Sequence, residues 1–82
     1  MVYEQCTITV MSNGTEESVE CRKEKSGAFE YGNRSMVVLD SPSIRQSNMN
    51  RPLQIDTRYY SFNEGFEGFC KGYLAEYGFT VL

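Results

Sequence analysis

Three cysteines, Cys6, Cys21 and Cys70, are the residues best suited to chemistry in this 82-residue chain, and there is no histidine to work with them. Without histidine, Ser-His and Cys-His nucleophiles and His-ligated metals are out of reach, and the usual general base near neutral pH is missing. The cysteines lie 15 and 49 residues apart with no Cys-x-x-Cys. A zinc site would need a carboxylate as fourth ligand, so no metal site is expected. The glycines of Gly65-Phe66-Glu67-Gly68-Phe69-Cys70-Lys71-Gly72 suggest a phosphate loop, but Lys71 precedes the glycine and no Ser or Thr follows it. Glu64 and Glu67 fit the solvated start of a helix, where carboxylates complement the dipole. With no catalytic constellation, the chain reads as a non-enzyme that needs no cofactor.

The elements that must position these residues begin with a hairpin. Apolar and polar residues alternate from Val2 to Met11 and again from Glu16 to Lys25, around the Asn13-Gly14 pair that a two-residue type I′ turn prefers. If those two form the loop, Val10 faces Glu17, Ile8 faces Val19, Cys6 faces Cys21 and Glu4 faces Lys23 on an apolar face. Tyr3 pairs Glu24 on the polar face. Cys6 and Cys21 then occupy a hydrogen-bonded position, awkward for a cross-strand bridge, and free buried thiols are expected. A tight meander through Ala28 to Tyr31 follows, then Met36-Val37-Val38-Leu39 as a strand buried on both faces, stopped by Asp40-Ser41-Pro42. Leu53, Ile55, Thr57 and Tyr59 alternate with polar residues as a half-buried strand.

Phe62, Phe66, Phe69, Cys70, Tyr73 and Tyr77 recur at helical spacing, with Ser61 and Glu64 as a capping box and Gly78 as terminator, predicting a helix over 62–77. Gly65, Gly68 and Gly72 form an interior glycine stripe that lets the helix lie tight on its sheet, or else opens a partner groove; Cys70 reads as a small core residue. Phe79 to Leu82 form a short terminal strand or apolar plug. The expected fold is α+β: a single domain (1–82) with an antiparallel sheet of four to five strands, hairpin and meander first, and one C-terminal helix packed on a face.

Hydrophobic residues make up 40% of the chain and charged residues 23%, which places it among folding sequences rather than disordered ones. There is no apolar run long enough to span a bilayer and no signal-peptide pattern at the start, so a cytoplasmic location and no membrane contact are expected. The net charge is −3, too acidic for indiscriminate nucleic-acid binding. Within it, residues 31–60 are the only net-positive segment, through Arg34, Arg45, Arg51 and Arg58. The stretch from Ser41 to Pro52 has no acid and only Ile44 and Met49 as apolar residues, and reads as a long loop of the kind that usually carries function.

Arg45, Arg51, Gln46 and Asn48 in that loop, with Arg34, Arg58, Tyr31 and Tyr60, are the candidate partner-binding residues, since Arg and Tyr carry much of the energy at interfaces. The leading expectation is a small protein-binding module of the inhibitor type that engages a larger protein or ribonucleoprotein complex as a monomer or homodimer. In size and type, though by no motif, it is similar to the antagonists encoded by phages and mobile elements, anti-CRISPR proteins among them. The alternatives are direct nucleic-acid binding, with Arg45 and Arg51 on phosphate and Gln46, Asn48 and Asn50 on bases, and an oligomerising structural subunit.

Overall fold

The structure, a computed structural model, describes residues 2–26, 34–57 and 64–82. Strands β1 (Val2–Ser12) and β2 (Thr15–Ser26) form the hairpin, turning at Asn13 (φ 51°) and Gly14 (φ 78°), the two left-handed positions that a type I′ turn requires. Its register is the one the turn dictates, from Ser12↔Thr15 through Val10↔Glu17, Ile8↔Val19 and Cys6↔Cys21 to Glu4↔Lys23. Beyond Glu4 the pairing slips: Val2, rather than Tyr3, is opposite Glu24, because a β-bulge takes up one residue.

Strand β3 (Arg34–Asp40) pairs with β2 and is followed by a short helix, α1 (Pro42–Ser47). Strand β4 (Leu53–Asp56) pairs with β3, helix α2 (Gly65–Tyr77) crosses the sheet, and β5 (Thr80–Val81) pairs with β1. The sheet is five-stranded and antiparallel in the order β4-β3-β2-β1-β5, and the fold is α+β. The expected meander at Ala28 to Tyr31 lies outside the described residues, as do Tyr59 and Ser61.

One face of the sheet carries the core. Ile8, Val10, Val19, Cys21, Val37, Leu39 and Ile55 meet Phe66, Cys70 and Leu74 of α2, which follow one another at i, i+4 and i+8, and Ile44 of α1. The strand at Val37, Val38 and Leu39 is buried on both faces, as its unbroken apolar run implies. Thr7, Thr9, Ser18 and Glu20 alternate onto the opposite, exposed face.

Three expectations need correction. The stretch from Ser41 to Pro52 is not a long loop, since half of it is helix α1. Helix α2 begins at Gly65 rather than Phe62, because Gly65 takes a left-handed φ of 78° that breaks the helical path; Glu64 sits in the capping position and its side chain makes no cap bond. The glycine stripe does not press on the sheet. Gly72 is exposed, with nothing within 4 Å of where a Cβ would stand, and the only atoms near that position at Gly68 belong to Glu64 of the preceding turn.

Candidate functional site

Helix α1 exists because its ends are chemically tied, not because its sequence is amphipathic. Ser41 is extended (φ −156°, ψ 162°) and its hydroxyl accepts the Ile44 amide at 3.2 Å, while Pro42 fills the first turn, where no amide partner is required. Ile44 is the single buried anchor among its six residues. Ser43 clamps the first turn to the hairpin: its hydroxyl donates to Glu17 at 2.8 Å, its amide donates to the same carboxylate at 3.3 Å, and it meets the Ser12 hydroxyl at 3.2 Å. Glu17 thus has a reason to stand opposite Val10, on the face of the hairpin that carries the core residues Ile8, Val10 and Val19. That misplaced charge was the signal in the sequence for an element docking there.

The predicted binding residues divide by what holds them. Arg45 is committed to the fold. Its guanidinium donates to both oxygens of Asp40, at 2.7 and 2.9 Å, and to the Asn50 carbonyl at 3.1 Å. The pairing holds the Asp40 carboxyl below its ordinary pKa, mainly by the hydrogen bond from Arg45. Asn48 is equally occupied, donating its side-chain amide to the carbonyls of Arg51 and Pro52, both at 3.1 Å. Gln46 and Arg51 are exposed, and Arg51 makes no side-chain hydrogen bond or ion pair among the described residues. Arg34 opens β3 opposite Ser26. Tyr31, Arg58 and Tyr60 lie outside the described residues.

What Arg45 and Asn48 hold in place is a tight turn. Met49 (φ 56°) and Asn50 (φ 61°) are both left-handed, a strained choice for side-chain-bearing residues. The Asn50 amide reaches back to the Arg45 carbonyl at 2.7 Å, which closes the turn. The result places Met49, a large apolar side chain outside the predicted binding set, at the crown with 87% of its surface exposed.

Beside α1 runs an open groove of about 690 Å³, lined by Asn13 at the hairpin tip, Gln46 and Ser47 of α1, and Tyr77 and Phe79 at the end of α2. Tyr77 and Phe79 stack with centroids 5.8 Å apart, and the Tyr77 and Ser47 hydroxyls meet at 2.7 Å. Gly78 (φ 119°) makes that corner possible by ending α2 in the left-handed conformation, its amide donating to the Leu74 and Ala75 carbonyls. The groove combines aromatic faces with amide and hydroxyl groups and contains no nucleophile paired with a base.

The three cysteines are elsewhere, under α2. Cys21 and Cys70 are buried, Cys6 is half-buried, and all three are free thiols. Burial pushes the Cys6 thiol up to about 11, helped by neighbouring Cys21. The Cys21 thiol is also pushed up, first by its hydrogen bond with Cys70 and then by burial. Isolated, such thiols are protonated and unreactive at neutral pH.

No helix among the described residues is long and apolar enough to cross a membrane. Set against known proteins, the chain matches no family model, and neither a curated protein nor a solved structure shows significant similarity to it.

Proposed function

We propose that the protein is a non-enzymatic binding module that docks on a larger protein through α1, the turn at Met49 and Asn50, and the adjoining groove. The observation that carries this reading is the turn: two left-handed residues, one bond from Arg45 to the Asn50 carbonyl and two from Asn48 to the Arg51 and Pro52 carbonyls hold Met49 out in solvent. A backbone turn fixed in advance loses little backbone entropy on binding, so less of the contact energy goes into ordering the chain. Methionine suits such a position because its unbranched thioether fills irregular pockets. Gln46, Asn50 and Arg51 around it supply a polar rim. A module of this kind acts by occupancy, covering a surface of its partner in the manner of an antagonist. Direct nucleic-acid binding fits the geometry less well, because Asp40 already neutralises Arg45 and leaves Arg51 as the exposed cation of the segment.

The test is site-specific photocrosslinking in lysate of the source cell. A crosslinker replacing Met49 is expected to give one discrete protein adduct at moderate salt, while a crosslinker at Thr9, on the opposite exposed face, gives none. Met49→Asp should weaken capture of that adduct's protein by about 1 to 2 kcal/mol and leave the fold intact. Adducts from Thr9 alone, or adducts to nucleic acid, would reject the reading.

A further inference from the structure

The Sγ atoms of Cys6, Cys21 and Cys70 all lie within 4.8 Å of one another. These are all the cysteines of the chain, and they arrive from three elements: β1, β2 and α2. The hairpin register accounts for the first pair. The third comes from one turn of α2, where Cys70 stands between Phe66 and Leu74 on the buried stripe. In a core built only for packing, any small apolar residue would serve at each of these points.

We propose that this triad is a binding site for a thiophilic d10 cation, Zn(II) or Cu(I), held by three thiolates. Metal–sulfur bonds of about 2.3 Å in tetrahedral geometry place the sulfurs about 3.8 Å apart, so no sulfur pair needs to close by more than about 1 Å, within reach of side-chain rotation. Soft thiolate donors select Cu(I) and Zn(II) over the hard cations that prefer oxygen. On coordination each thiol releases its proton to solvent, and the metal's charge offsets part of the thiolate charge that burial otherwise disfavours, leaving the site net negative.

The two ions differ in what they need beyond sulfur. Three thiolates suffice for Cu(I), whereas Zn(II) takes a fourth ligand. Glu67, one turn before Cys70, stands outside the present cluster, paired with Lys71 at 3.5 Å on an exposed part of α2, so its use as the fourth ligand requires that pair to open and the carboxylate to turn inward. Half-buried Cys6 marks the side from which a metal enters. A disulfide is the weaker use of the same atoms: Cys6 and Cys21 face each other at a hydrogen-bonded strand position, where bridging is awkward, and it leaves the third sulfur unused.

The experiment uses the reduced full-length chain under anaerobic conditions, titrated with Co(II) as a spectroscopic stand-in for Zn(II), with Zn(II) itself, and with Cu(I) from a competing chelator. Expected are one equivalent bound, a thiolate-to-metal charge-transfer band with Co(II) or Cu(I), and protection of all three cysteines from alkylation. Cys6→Ser, at the half-buried position, should weaken binding at least about 10-fold. Loss of Zn(II) affinity in Glu67→Gln, with Cu(I) unaffected, would identify the four-ligand site; tight Cu(I) binding without Zn(II) would identify the three-ligand one. The proposal is overturned if the wild-type chain binds neither ion at one equivalent, or if Cys6→Ser binds as well as wild type. The alkylation readout on wild type keeps the test decisive should any cysteine variant fail to fold.

Discussion

At the scale of single residues, the most consequential finding is that Asp40 and Arg45 are partners across the start of α1. Asp40 ends β3 and Arg45 lies in the last turn of α1, so their two-point contact fixes the angle at which the helix leaves the sheet. Replacing Arg45 with Ala is therefore expected to lower the melting temperature by a few degrees, where an unattached loop arginine would leave it unchanged. The contact also carries a pH signature. Because the folded Asp40 carboxyl titrates below its unfolded value of about 3.9, its contribution is fully present above that pH. It is lost as pH falls through the folded pKa. Urea midpoints of wild type and Asp40→Asn should thus differ at neutral pH and converge in acid; a gap that persists unchanged in acid would show that the pair contributes nothing. Arg45 is also a residue whose type was read correctly in the sequence and whose role was not: arginine chemistry serves an internal carboxylate as readily as a partner's, and only geometry distinguishes them.

Among the elements, legibility followed the density of local signals. The hairpin was readable down to its register because Asn13-Gly14 admits one turn and alternation admits one face. Helix α1 was hidden because a six-residue helix with one buried residue has no period to detect. Its true marker, Ser41-Pro42 as cap and first helical residue, reads equally well as a strand terminator. Helix α2 showed its period, but a stripe of glycines gives no direction of its own, and these turned out to face away from the sheet. The meeting of Cys70 with Cys6 and Cys21 depends on how α2 crosses the sheet, which no local pattern encodes. The glycines supply a graded test. Gly72→Ala meets open space in a helix interior and should stabilise the protein by about 0.5 to 1 kcal/mol. Gly68→Ala places a Cβ 2.7 Å from the Glu64 Cβ, which cannot rotate away as the end of a flexible side chain can. Its gain should be smaller or reversed. Equal gains at the two sites, measured by chemical denaturation, would contradict the geometry at Gly68.

For the molecule as a whole, the sheet grows by neighbours in sequence from β4 back to β1, and then β5 arrives from the far end of the chain to pair through Val10↔Val81 and Met11↔Thr80 alone. Few hydrogen bonds secure that last strand, so it belongs to the part of the structure that opens locally at low free energy. Amide exchange is expected to be fastest, among strand amides paired within the sheet, at Thr80 and Val81, and slowest at the centre of the β1–β2 pairing around Ile8 and Val19. Uniform exchange across the sheet would instead indicate that β5 opens only with global unfolding. The position of β5 also decides how the protein can be handled. The Leu82 amide bonds to the Thr9 carbonyl at 3.1 Å, and Phe79 and Thr80 border the groove beside α1, whereas Val2 lies at the opposite end of β1, about 24 Å away at about 3.4 Å per residue. Any polypeptide fused after Leu82 emerges next to the proposed docking face and crowds it; one fused ahead of Val2 leaves that face clear, so an affinity handle or fluorescent reporter belongs at the amino end.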